Sequence, residues 1–221
     1  MRSRQWNLLA LLALALALLY SAWQHKPGSG AAQQGSTYKE VRPLFWKALY
    51  ADGGRTLYCE QRFSSRHGRE INIEHVFPMS WVMKSLQCEE RQACRRTSRR
   101  FNQIEADMHN MYPALAKVNK ERSAMAYALI KGEQHHYPDC DFEIDFHTRR
   151  VEPAPQARGR IARAMLYMAD SYNLELYPRQ KKLLLQWHRS HPPSREERLR
   201  NQRIRDIQGR ANPYIRLLPA E

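Results

Sequence analysis

An acid and an imidazole, Glu74 and His75, stand side by side in the run Ile71-Asn-Ile-Glu-His-Val-Phe-Pro78. An imidazole can take a proton from water near neutral pH, and a carboxylate beside it can hold a hard divalent cation. The pair therefore has the means to activate water against a phosphodiester. The same dipeptide also fits a solvated or half-buried strand end, so it needs partners. One candidate is Asn119, whose amide oxygen is an acceptable ligand for a hard cation, although an Asn on a helix is more often hydrogen bonded in place. Another is the stretch from Cys88 to Arg100, which holds five arginines. A guanidinium fork suits phosphate oxygens, though most charge runs are solvated surface.

The elements that must position these groups can be read from periodicity. Val41, Leu44, Phe45 and Leu49 share one face of a helix expected over Tyr38 to Ala51, which Asp52-Gly-Gly54 stops. Arg55 to Phe63 and Glu70 to Phe77 alternate and read as two strands. In the second, Ile71, Ile73, His75 and Phe77 share a face, so Glu74 points away from His75, and both are expected to reach one phosphate only if the backbone leaves regular strand geometry after Ile73. Pro78 nearby is consistent with such a distortion. Cys88 to Arg100 lacks apolar periodicity and reads as a loop. Glu105 to Gly132 leads into a helix with core positions Leu115, Val118, Met125, Ala126 and Leu129, and with Asn119, Arg122 and Ser123 on its flank. Phe142, Ile144 and Phe146 alternate as a strand. Ala154 to Tyr172, Pro178 to His188 and Arg195 to Gln208 read as helices, with Arg160 and Arg163 turned off the apolar face of the first.

The chain has 221 residues and a net charge of +14, of which +12 remains without the first 23 residues. That excess points to a polyanion, either nucleic acid or an anionic membrane surface. Residues 1–24 read as a signal peptide or uncleaved membrane anchor. Arg2 and Arg4 precede an uncharged Leu/Ala run ending at Trp23, and a tether would use residues 7–23. Residues 25–36 are a Gly/Ser/Gln-rich linker and 37–221 the folded domain. Export would let four cysteines form two disulfides. Of the three pairings, Cys59 with Cys140 and Cys88 with Cys94 is favoured, and the absence of any Cys-x-x-Cys argues against zinc.

Seven pieces in order carry a family resemblance. They are Thr56-Leu-Tyr-Cys59, Ile73-Glu-His-Val-Phe-Pro78, Glu105-Ala-Asp-Met-His-Asn110, Val118-Asn119 with Arg122, Arg158-Gly-Arg-Ile-Ala-Arg163 with Tyr167-Met168, Tyr172-Asn-Leu174 and Gln208-Gly-Arg-Ala-Asn-Pro-Tyr214. Together they resemble the endonuclease I family, exported nonspecific nucleases of the His-Me finger (ββα-metal) class. The resemblance implies an α+β fold, a ββα-metal core with additional packed helices. It implies His75 as general base, Glu74 and Asn119 as ligands of one divalent metal ion, Mg2+ with Mn2+ or Ca2+ as alternatives, and Arg91 as the phosphate-stabilising arginine. Arg95 and Arg96 could take over from Arg91, and Arg95, Arg96 and Arg122 are candidate nucleic-acid contacts. The family carries more cysteines than four.

The expected enzyme is thus a monomeric, metal-dependent endonuclease, periplasmic or secreted or tethered to the inner membrane. It would cut DNA and RNA without sequence preference to leave 5′-phosphate and 3′-hydroxyl ends. The alternative is a noncatalytic nucleic-acid-binding protein of the cell envelope, for example in DNA uptake. Nothing in the chain resembles a base-reading module.

Overall fold

The structure, a computed structural model, describes residues 36–132 and 136–216. The leader or anchor and nearly all of the linker expected at the amino end lie outside these residues. Among the described residues no helix is long and apolar enough to cross a membrane.

The architecture is α+β. Helix α1 (Tyr38–Leu44) runs into a π-helical turn, Phe45–Leu49, just past Pro43, whose ring removes a backbone donor from the ladder. The expected strand over Arg55 to Phe63 is instead a pair of two-residue strands, β1 (Gly54–Arg55) and β2 (Arg62–Phe63), joined antiparallel. The turn between them buries Leu57 and Tyr58. β3 (Ile71–His75) follows, then α2 (Met79–Ser85), α3 (Arg91–Thr97) and α4 (Arg99–Glu105). The arginine-rich segment is therefore helical. Its anchor is one fully buried side chain, Cys94, too little to give an apolar period. Ser98 ends α3 and caps α4, accepting from the Phe101 N–H.

β4 (Met111–Leu115) pairs antiparallel with β3, residue for residue from Ile71 with Leu115 to His75 with Met111. The flanking bonds, Val76 N–H to the Asn110 carbonyl and Ala116 N–H to the Glu70 carbonyl, put even-numbered β3 residues in hydrogen-bonded pairs. Pro113 lies opposite Ile73 in a non-bonded pair, where its missing N–H costs no ladder bond. Helix α5 (Ala116–Arg122) leaves β4 directly. It ends earlier than periodicity suggested, because Ala126–Tyr127 is β5 and Leu129 is exposed. β6 (Phe142–Asp145) and β7 (Arg150–Pro153) complete a sheet of order β5-β7-β6, with β5 parallel to β7.

Three helices follow among the described residues: α6 (Pro155–Tyr172), α7 (Pro178–Ser190) and α8 (Arg195–Gln208). Pro155 and Pro178 start α6 and α7 where the first N–H has no helical partner anyway, and Ser194 and Gly209 cap α8 at its two ends. Gly159 lets α6 approach the end of α7, since a Cβ there would meet the His191 carbonyl oxygen at 2.5 Å. Arg163 does not turn outward as expected. It is buried, forked onto Glu197 of α8 by two 2.6 Å bonds.

The β3–β4 pair separates two apolar clusters. Tyr112 and Ala114 face the main core with α5, α6 and α7, while Ile73 and Met111 face a smaller one with α1, Met108 and Ile204. The Cys59–Cys140 disulfide forms as expected. The second expected bridge does not: Cys88 and Cys94 are free thiols, in hydrogen-bonding contact with each other.

Candidate active site

Because β3 stays regular through His75, its last two side chains leave opposite faces, and the distortion expected after Ile73 does not occur. His75 enters the smaller cluster, where its ring lies 5.3 Å from that of Tyr38. Its Nε2 faces the Glu105 carbonyl oxygen at 2.9 Å. A carbonyl only accepts, so Nε2 carries the proton in the neutral ring and Nδ1 keeps its lone pair. Burial, reinforced by the Arg91 charge, pushes the imidazole down to about 4, against the Glu105 carbonyl and carboxylate. Near neutral pH the ring is uncharged, with one nitrogen ready to accept a proton.

Glu74 enters the other face and is buried. Its Oε1 accepts from the Tyr58 hydroxyl at 2.6 Å and lies 3.0 Å from Arg122 Nη1. With Tyr58 donating to the carboxylate, Tyr127 must donate to Tyr58 across their 2.7 Å contact. Burial pushes the Glu74 carboxyl up; Arg122, Tyr58 and the His75 backbone N–H hold it down. That N–H belongs to an odd-numbered residue and points to the free edge of β3, so the carboxylate reaches the same strand edge that His75 ends.

Helix α5 grips this edge. Asn119 Nδ2 donates to the Ile73 carbonyl at 3.3 Å and to Asn72 Oδ1 at 2.7 Å, and Arg122 donates to the His75 carbonyl at 3.4 Å and the Val76 carbonyl at 2.7 Å. Two acceptors on Nδ2 fix the Asn119 amide so that Oδ1 turns away from them. The donors available to a cation are thus oxygens, a carboxylate and an amide, as a hard divalent ion requires. Among the described residues no three His, Cys, Asp or Glu side chains gather around one point. A cation here would have two protein ligands, with water and phosphate oxygens supplying the others.

Arg122 corrects one expectation. At 1% exposure, paired with Glu74 and lying over the Tyr127 ring at 4.8 Å, it is a buried counter-ion and not a nucleic-acid contact. The loop arginines divide by their use of Glu105, a fully buried carboxylate. Arg95 forks onto it through Nε and Nη2, both at 2.7 Å, whereas Arg91 uses Nε alone at 2.6 Å and stays 42% exposed. Burial would raise the Glu105 carboxyl; Arg95 and Arg91 outweigh it and hold the group below its ordinary value. Arg91 therefore keeps its two terminal nitrogens out of this ion pair, Arg95 is half committed, and Arg96 is exposed on the same helix.

Sequence reasoning gave no role to Glu105, which orients His75 with its backbone and two arginines with its side chain. The usable signal was the four-residue spacing of Arg91 and Arg95, one helical face with a common anion. Tyr58, which holds Glu74, and Tyr127, which donates to Tyr58, carry no comparable signal, since either could be ordinary core.

The family model described as Endonuclease I matches residues 36–217. A periplasmic deoxyribonuclease of Aeromonas hydrophila is 35% identical over 231 aligned positions, covering 94% of each chain. An extracellular deoxyribonuclease of the same organism is 35% identical over 93% of this chain and 96% of its own. Endonuclease-1 of Buchnera aphidicola subsp. Baizongia pistaciae (strain Bp) is 32% identical over 70% of this chain and 64% of its own. Matched by the family model from residue 36 to 217 and aligned over almost the full length of the two Aeromonas deoxyribonucleases, this chain belongs to the endonuclease I family.

Proposed function

We propose that the protein is a divalent-metal-dependent endonuclease that hydrolyses DNA and RNA without sequence preference, in the periplasm or outside the cell. The observation that carries this reading is the state of His75: neutral, fixed through Nε2, with Nδ1 free at the end of the strand that holds Glu74. The deoxyribonuclease names and the periplasmic and extracellular locations of the relatives support it, as does the charge of +14. The β3–β4–α5 succession, with Glu74 and His75 ending the first strand and Asn119 on the helix, supports a ββα-metal core.

In this reading a phosphate binds at the free edge of β3, because that is where the two opposed faces can be reached together. His75 Nδ1 takes the proton from the attacking water. Arg91 places its terminal N–H groups on the phosphate oxygens, and Glu105 holds it there. Glu74 and Asn119 hold the cation, with Arg122 and Tyr58 fixing the carboxylate. When bound, a divalent cation would neutralise charge on the phosphate and on the departing 3′-oxygen, leaving 5′-phosphate and 3′-hydroxyl ends.

Supercoiled plasmid tests the reading directly. Cleavage with magnesium, none with chelator, and a loss of roughly a hundredfold or more in His75→Ala are expected. Full activity in that variant would remove His75 as the base. Salt-sensitive binding without cleavage at any metal concentration would favour the envelope-binding alternative.

A further inference from the structure

We infer that the cleft between α1 and the α3–α4 pair is a nucleotide subsite, taking the phosphate and unstacked base that neighbour the bond being cut, and so equips the protein for single strands. The inference rests on the nuclease reading above. The cleft measures about 640 Å³, and its walls include Tyr38, Lys39, Arg42, Trp46, Arg95 and Asn102. That volume is on the scale of small-molecule sites and accommodates one nucleotide.

Its chemistry is that of a single-strand site. Phosphate attraction is provided by Lys39 and Arg42, both exposed and neither held in a salt bridge among the described residues, together with Arg95. Glu105, the one acid in the wall among the described residues, has both oxygens taken by Arg91 and Arg95, so the local field is positive. Trp46 offers a base-sized aromatic surface whose plane is already set. His67 stacks on it at 4.0 Å with an interplanar angle of 30°, and the indole still lines the cleft. Tyr38 lies under the Arg95 guanidinium at 5.5 Å and against the His75 ring at 5.3 Å. Through Tyr38 and Glu105 the cleft therefore shares a wall with the candidate base, which puts its occupant beside the reacting phosphate. A base paired in a duplex has no free face for such a wall, whereas an unpaired base does.

Fluorescence anisotropy of the intact protein in chelator, with labelled hexathymidylate and with a hexamer of the same charge built from abasic units, tests the subsite without turnover. Hexathymidylate is expected to bind the native protein more tightly than the abasic hexamer. Trp46→Ala should erase that difference with about a tenfold loss for hexathymidylate, and Trp46→Phe should restore much of it. Arg42→Ala, at an exposed position, should weaken both probes together. Equal binding of the two probes by the native protein, or affinities unchanged in Trp46→Ala and Arg42→Ala, would overturn the subsite. Plasmid cleavage by the native protein, run in parallel with magnesium, reports separately on the nuclease reading.

Discussion

Arg122 Nη1 lies 3.0 Å from Glu74 Oε1 while the two side chains are only 1% and 4% exposed. Neither charge has water to fall back on, so each depends on the other. Arg122→Ala is expected to destabilise the protein by about 3–5 kcal/mol, the cost of leaving a buried carboxylate unpaired. Urea unfolding measures this. Glu74→Gln in the same chain should recover part of the loss, and strictly additive losses would mean that the two groups do not act as a pair.

Glu105 links the base to the arginines by two different atoms, which a substitution can separate. Glu105→Gln keeps the backbone carbonyl on His75 Nε2 but removes the charge that anchors Arg91 and Arg95. Cleavage should fall roughly ten- to a hundredfold, as is usual when a group orienting an active side chain is lost. The acid limb of the pH–rate profile, set by His75, should shift less than the rate does. A rate within twofold of the native enzyme would leave the arginines without a role in the reaction.

His109 makes stability depend on pH. Its Nε2 donates to the Arg210 carbonyl at 2.9 Å, and its Nδ1 is buried without a partner. Burial pushes the imidazole down to about 4, with Arg200 and Arg210 adding to the effect and Asp107 and the Arg210 carbonyl opposing it; the Tyr167 ring packs on it at 4.6 Å. Between the ordinary histidine value near 6.5 and about 4, the unfolded chain binds a proton that the folded chain refuses. Stability therefore declines as pH falls through that window, by roughly 3 kcal/mol for this residue, and the loss is complete below it. Urea midpoints from pH 7 to pH 4 should trace the decline, and His109→Phe should lessen it, with His75, also pushed down to about 4, keeping its own share. An unchanged slope in that variant would assign the effect to other groups.

Cys59 and Cys140 are separated by 81 positions, and the loop they close contains β3, α5 and both residues expected to hold the cation. Cross-linking a loop of that length stabilises by roughly 4 kcal/mol in the chain-entropy account. Cys59→Ser with Cys140→Ser should lower the urea midpoint accordingly. Plasmid cleavage should fall as well, because Tyr58, the neighbour of Cys59, holds Glu74. An unchanged midpoint would make the bridge dispensable.

What could be read in the sequence was what repeats or what punctuates. α1 and α6 announce themselves by apolar spacing, α1 also by its Asp52-Gly-Gly54 stop, and β3 by alternation. What could not be read depends on partners distant along the chain. β4 contains a proline that is harmless only in the register it adopts against β3, and α3 is held by one buried thiol and a carboxylate on the next helix. In the candidate site, residue types nominated Glu74, His75 and Asn119, and the family resemblance nominated Arg91. Arg122 was misassigned because its i+3 relation to Asn119 marks a common flank without saying whether that flank meets water or a strand edge. Here it meets the free edge of β3.

Arg200 donates to the carbonyls of Met108 and Met111 and to the Tyr50 hydroxyl, 150 positions earlier. Arg210 donates to the Asp107 carboxylate at 2.9 Å. Both arginines are synthesised after β3, β4 and α5. A nascent chain that has already released β3, β4 and α5 still lacks the side chains that satisfy the carbonyls beside β4. The carbonyls beside β4 therefore stay unsatisfied by these side chains until residue 200 has been made, well after the strand they flank.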